Sequence, residues 1–358
     1  MALLCFIATS LSAQENLRVE TLADGLEHPW GIAFLPDGRA LVTERPGRLR
    51  LIAPDGSISA PLAGVPPVFA QRQGGLFEAV PHPDFAENGW LYLSYAHGTA
   101  RQNATRLARA KLRGDRLTDL EVLFTATPMK DTPVHFGGRI QFLPDGTLLL
   151  TTGEGFAYME QAQALDNHFG KVVRLNADGS VPADNPFVGQ DGALPEIYTY
   201  GHRNPQGIVY DAERGIVYIH EHGPRGGDEI NVLEAGANYG WPIATYGIDY
   251  SGAQITPYED YPGTRQPLLH WTPSIAPSGM TLYRGDMFPD WQGDLLVGAL
   301  VKRHLRRVDL DSDGAVSGQD KYLTERGERI RDVVTAPDGT LLILTDTPDG
   351  RVLRLSQP

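Results

Sequence analysis

The 358-residue chain predicts an all-β fold, a six-bladed β-propeller, and three observations carry that prediction. Apolar and polar residues alternate in short runs, Pro-Asp-Gly-like turns join the runs in pairs, and the run-turn-run unit recurs six times from end to end. Period-two alternation of Leu, Val, Ile and Tyr marks strands with one buried face, and Asp-Gly supplies the positive backbone angles of tight hairpins. A small sheet that cannot bury both faces alone must stack on its copies. Six units of roughly 50–70 residues fit a propeller.

The elements follow in chain order. The run LRVETLA at Leu17 has no partner in its own repeat, so it is expected to pair with the last one and close the ring, which removes an open sheet edge. The first unit is GIAFLPDGRALVTERPGRLRLI from Gly31 and the second, a weaker copy, is AVPHPDFAENGWLYLSYA from Ala79. GRIQFLPDGTLLLTTGEG from Gly138 is the third, followed by GIVYDAERGIVYIHEHG from Gly207 and by LYRGDMFPDWQGDLLVGALVKRHLRRVDL from Leu282. RDVVTAPDGTLLILTDTPDGRVLRL from Arg331 completes the series. No long amphipathic helix is expected, the nearest stretch being residues 158–166. A pair of sandwiches is the alternative architecture. No Gly/Ser-rich or Pro-rich linker divides the chain as that would require.

Forty Gly and 27 Pro imply many turns, and a net charge of −13 with no basic run excludes a nucleic-acid phosphate track. No run after the N-terminus is long and apolar enough to span a bilayer. The opening MALLCFIATSLSAQ reads as a secretory signal, residues 1–13, cleaved after Ala13, although its basic start is missing and a buried strand is the alternative. Residues 14–358 would then form the propeller, in the periplasm or outside the cell. The one cysteine, Cys5, falls in the removed segment, so no disulfide or thiolate chemistry is available.

Propeller ligands sit over the central channel, on loops at one face. Polar motifs recur at such places: RQGGLFE around Gln73, HFGGR at His135, GHRNPQG at Arg203, HGPRGGDE at Gly223 and ERIRD at Arg329. Arg203 beside Asn204 offers a planar donor fork next to an amide, suited to an anionic or carbonyl ligand. Gly223 and Pro224 form a turn whose carbonyls can face a hard cation, with Asp228 and Glu229 close behind. His135 suits a general base, its alternative being a satisfied structural histidine, and Glu154 either orients it or merely turns the chain. Arg329 and Arg331 project to one side across Ile330, which calls for an anion between them or for a salt bridge to Asp332 or Glu328. Glu229 and Tyr239 offer a carboxylate and a carbonyl to a cation, or are core anchors. No HExxH, GxGxxG or GxSxG is present, so zinc, Rossmann cofactor and serine-elbow chemistry find no support.

Together HFGGR, YGHRNPQG, EHGPRGGDEIN, NYGWP, GALVKRHLRRV and ERIRDV resemble the soluble pyrroloquinoline quinone (PQQ)-dependent aldose sugar dehydrogenases, relatives of soluble glucose dehydrogenase. The resemblance covers nearly all of the chain after residue 13. It implies a six-bladed propeller that oxidises aldoses to lactones, with electrons passing to an external acceptor. It assigns His135 as general base and Arg203 as the group polarising the quinone oxygen. Gln73, Asn204, Arg329 and Arg331 match positions contacting the quinone, Gly223 and Pro224 those holding calcium by their carbonyls, and Glu229 and Tyr239 further calcium-associated positions. Three residues depart from the pattern: Val301 stands where a lysine is expected, with Lys302 one residue on, Glu154 replaces an aspartate, and Val134 replaces an acid beside His135. These departures imply weakened binding of one cofactor carboxylate and an altered sugar preference. The loop at residues 246–265, rich in Tyr and Asp, is expected to shape the sugar pocket. A calcium-dependent propeller lactonase and a non-catalytic binding propeller are the rival readings.

Overall fold

The computed structural model describes residues 17–358; the expected signal segment and Cys5 lie outside the described residues. Six antiparallel sheets form a six-bladed propeller. Their inner strands are Pro29–Phe34, Leu76–Pro81, Ile140–Phe142, Pro205–Asp211, Pro277–Leu282 and Ile330–Thr335, which define blades one to six. Each blade runs outward by short hairpins, as in blade three, where Ile140–Phe142 pairs with Thr147–Thr151, then Lys171–Asn176, then Ile197–Tyr200. Blade one has three strands and the others four. In blade six the outermost strand is Arg18–Leu26, paired antiparallel with Gly350–Ser356, so the N-terminal run closes the ring as its sequence implied.

The Pro-Asp-Gly turns have one local cause. Asp37, Asp145 and Asp338 each accept a hydrogen bond from the backbone N–H two residues on, and the following glycines, Gly38, Gly146 and Gly339, adopt φ of +84°, +82° and +80°. A side chain at that φ would be strained, which is why Asp-Gly recurs. Among the described residues helical structure is limited to single turns such as Phe85–Asn88 and Met159–Gln163. No helix among the described residues is long and apolar enough to cross a membrane.

The alternating apolar faces meet between blades. Leu41, Leu49 and Leu51 of blade one pack with Leu76, Leu91 and Leu93 of blade two, and comparable clusters fill the seams between the other neighbouring blades. Each fully buried Leu contributes about 1.5–3 kcal/mol relative to exposure. Along the axis the packing is polar instead. Arg139 on blade three donates to Glu78 of blade two at 2.7 Å, to Asp332 of blade six at 3.1 Å and to the Gln206 carbonyl of blade four at 2.7 Å. Asp332 also accepts from the Ile32 N–H, so hydrogen bonds of one charged cluster tie five blades together, and it lies where a Cβ on Gly279 of blade five would collide at 1.6 Å.

Candidate active site

The inner strands do not begin regularly. Register shifts fall between Pro29 and Ile32, Leu76 and Glu78, Pro205 and Gly207, Pro277 and Met280, and Ile330 and Asp332. Blade three starts instead with two glycines at positive φ, Gly137 and Gly138. Such bulges bend a strand and re-aim its side chains, so the polar residues at these starts turn toward the axis.

There they enclose a cavity of 290 Å³. Its floor is aromatic: Phe77 lies 5.2 Å from Trp30 and 5.6 Å from Phe136, ring centre to ring centre. Gln73, Asn204 and Gln206 supply amides to the wall, and Arg45, Arg329 and Arg331 supply cations. Of the residues expected from sequence, Gln73, Asn204, Arg329 and Arg331 line this cavity directly. His135 and Arg203 stand at its edge, adjoining the lining residues Phe136 and Asn204.

His135 is buried and held at φ +51°, a conformation costing about 1–3 kcal/mol for a side chain of this kind. Its backbone N–H donates to Gln73 Oε1 at 2.8 Å, and its Nδ1 lies 2.9 Å from Glu154 Oε1. Glu154 is therefore an orienting carboxylate rather than a bare turn residue, and Nε2 is the nitrogen left to act. Burial pulls the imidazole below its ordinary value, Glu154 opposes this, and the positive charge of Arg203 adds to the depression. A neutral imidazole with one fixed tautomer is a proton acceptor.

Arg203 donates through Nη1 to the carbonyls of His222 at 3.1 Å and Gly223 at 2.9 Å, with its guanidinium 5.3 Å from the Trp241 ring and 6.0 Å from the Tyr250 ring. Its Nε is buried without a partner, as is that of Arg331. Arg329 and Arg331 do share an anion, but neither Asp332 nor Glu328: Asp346 Oδ2 accepts from both at 2.9 Å. Asp332 serves Arg139, and Glu328 serves Arg326 and Arg351. Burial would raise the Asp346 carboxyl, yet Arg331 and Arg329 hold it well below the usual range.

The Gly223 carbonyl faces Arg203, and Gly223 N–H donates to Asp228 Oδ1 at 2.9 Å. Asp228 corrects the expectation of a free acid behind this turn. Its other oxygen already accepts from Ser274 Oγ, Ile275 N and Ala276 N, so it shapes the turn and has no oxygen free for a cation. Glu229 and Tyr239 stand away from the cavity lining. Glu229 faces Glu221 across a strand pair, and burial followed by that neighbouring charge pushes its carboxyl up to about 8. The Tyr239 hydroxyl donates to Val232 O and accepts from Glu234 N, and its ring stacks 4.6 Å from His202. Among the described residues no three His, Cys, Asp or Glu converge as a metal cluster.

Sequence reasoning missed Trp30, Arg45, Phe77, His222, Tyr250 and Asp346. Arg45 was detectable, since it heads the loop after the second strand of the first repeat as Asp346 does in the sixth. Val301, in place of the expected lysine, is 58% exposed and lines the cavity, while Lys302 is exposed beside it. From the 246–265 loop, expected to shape the sugar pocket, Tyr250 lines the cavity, and its ring stacks 6.3 Å from Phe156, which lies edge-on 5.5 Å from His135.

Residues 26–354 match the family model described as glucose/sorbosone dehydrogenase. The chain is 43% identical over 360 residues to the aldose sugar dehydrogenase YliI of Escherichia coli (strain K12), covering 99% of this chain and 96% of that one. It is 29% identical over 419 residues to quinoprotein glucose dehydrogenase B of Acinetobacter calcoaceticus, covering 93% and 86%. The structure superimposes on the apo-form soluble aldose sugar dehydrogenase of Escherichia coli with a TM-score of 0.92 at 43% identity, covering 96% of this chain and 100% of that one. It superimposes on the PQQ-bound aldose sugar dehydrogenase of Streptomyces coelicolor with a TM-score of 0.79 at 28% identity, covering 96% and 98%.

Proposed function

The chain belongs to the glucose/sorbosone dehydrogenase family, and from that premise we propose that it oxidises aldoses at the anomeric carbon to lactones with PQQ as cofactor, passing the electrons to an external acceptor. One observation carries the reading: Arg45, Arg203, Arg329 and Arg331 surround an aromatic-floored cavity whose lining contains one carboxylate, Asp346. The unpartnered buried Nε atoms of Arg203 and Arg331 fit a flat, polyanionic group. Arg329 and Arg331 would hold its carboxylates, Gln73 and Asn204 its remaining polar edge, and Trp30, Phe77 and Phe136 its face. When bound, the quinone would supply the carbon that accepts the hydride from the sugar's C1.

His135 Nε2 takes the proton of the anomeric hydroxyl, so that C1 loses a hydride, the oxygen loses a proton, and the C1=O bond of the lactone forms. Glu154 stabilises the imidazolium that results. Arg203, fixed by two carbonyls, presents positive charge where negative charge develops on the acceptor. The carbonyls of Gly223, which already accepts from Arg203, and of Pro224 would be the donors for calcium. With Asp228 saturated, they form an incomplete set that a bound anion in the cavity would have to complete. Glu229 and Tyr239 are further candidates to hold calcium, at a carboxyl that burial and the neighbouring Glu221 push upward. The enzyme would act in the periplasm or outside the cell as residues 14–358. A lactonase would need carboxylates and amides converging on its metal, and the arginine-rich lining runs against that. Titration of the apoprotein with PQQ and calcium, followed by assay with glucose and a dye acceptor, tests the reading; absence of both binding and dye reduction would overturn it.

A further inference from the structure

We infer that Lys130 is a positioning residue for the base: with Gln73 it clamps the single peptide unit that aims the His135 imidazole, an inference that rests on the role proposed above for His135. Lys130 is buried, 4% exposed, and its Nζ donates to Val134 O at 2.8 Å, Thr132 O at 2.5 Å and Asn103 Oδ1 at 2.9 Å, 3.5 Å from the Phe136 ring centre. The carbonyl of Val134 and the N–H of His135 belong to the same planar peptide. Gln73 Oε1 holds that N–H at 2.8 Å, so the plane is gripped at both polar ends.

Rotation of this plane is what the φ of His135 measures, and at +51° the residue would relax if either end were released. Glu154 fixes the ring, whereas the clamp fixes the backbone from which the ring projects. The clamp is rooted in another blade. Lys130 and Asn103 exchange backbone hydrogen bonds at 2.8 and 2.9 Å, and Asn103 lies in the blade-two strand Gln102–Arg113. Burial lowers the ammonium to about 7, with Glu154 and Asp131 opposing.

Lys171 supplies the control. It is equally buried, its Nζ caps the carbonyls of Gln161, Ala162 and Phe169, and none of these adjoins His135 in the chain.

The test compares Lys130→Met with Lys171→Met. In cofactor-free protein the ring C–H resonance of His135, assigned by its loss in His135→Gln, is expected to be single in the wild type and in Lys171→Met. It should be broadened or doubled in Lys130→Met, and shifted less in Lys130→Arg, which keeps the charge but cannot converge on the same three acceptors. In loaded enzyme, Lys130→Met lowers kcat about tenfold or more while the sugar KM and cofactor affinity stay within about twofold, because misaiming a catalytic group acts on the chemical step. An unchanged His135 resonance in Lys130→Met, or a kcat loss no larger than that of Lys171→Met, overturns the inference. If no aldose is oxidised even by the wild type, the proposed function fails while the resonance comparison still decides the clamp.

Discussion

Two charged regions adjoin the Trp30 ring near the propeller axis, and they are built to opposite ends. In one, Arg139 lies 4.2 Å from the ring centre and meets two carboxylates, Glu78 and Asp332. In the other, Arg331 lies 6.0 Å from the same ring and shares the one cavity carboxylate, Asp346, with Arg329, while Arg45 lines the same cavity and Arg203 adjoins it. In the first region two carboxylates outnumber the one guanidinium, which leaves only Nη2 without a partner, and the cluster ties blades together. The second carries an excess of positive charge with buried donor atoms unused, which is costly unless an anion completes it. The difference separates a structural use of arginine from a binding use on adjacent stretches of the same strands.

The comparison breaks most sharply at His135. His135→Gln is expected to lower kcat about 10²- to 10⁴-fold, the span of a positioned general base, with cofactor affinity and melting temperature nearly unchanged in equilibrium titration and calorimetry. Arg139→Met should show the converse. It leaves Glu78 and Asp332 facing each other in a buried site, so denaturant unfolding should report a loss of about 3–5 kcal/mol, while the folded fraction still binds cofactor. A cofactor-affinity loss in Arg139→Met larger than that in Arg331→Met would erase the distinction between the regions.

Arg331→Met removes one charge-assisted donor of about 1.5–3 kcal/mol, which corresponds to a PQQ dissociation constant raised roughly 10- to 150-fold by direct titration. Stability should change less than in Arg139→Met, because Arg329 remains on Asp346. The smallest effect concerns pH. Burial pulls His304 down to about 4, with the Lys302 carbonyl opposing, and drives His220 well below its ordinary 6.5. For groups depressed in the folded state the stabilisation is present above the unfolded value and is lost as pH falls through the folded one. The melting temperature should therefore decline by a few degrees as pH drops from about 6.5 toward 4, and His304→Asn should flatten part of that decline.

The clearest repeats, at Gly31, Gly138 and Arg331, were legible because alternation and the Asp-Gly turn are encoded within a few residues. The closing strand at Leu17 was legible because it lacked a local partner. Within the site, His135, Arg203 and the Arg329/Arg331 pair could be read from their place at strand heads. The pairing of Asp346 with those arginines could not, because it is made across the hairpin of blade six, 15 and 17 residues along the chain. The early link between the Gly223 turn and Asp228 as a cation ligand failed for a related reason: the donors that saturate Asp228 come from residues 274–276, in the connection to the next blade.

The sequence by itself thus determined the blade unit, its count, the closing strand and the chemical types at the head of each inner strand, since these depend on short-range periodicity and turn chemistry. Tertiary structure decided which charges are balanced and which are left over. Arg139, Lys130 and Asp346 become a plug, a clamp and a shared counter-ion only when ring closure brings blades two, three, four and six onto one axis, and that convergence is fixed by packing between blades rather than by any local run of residues.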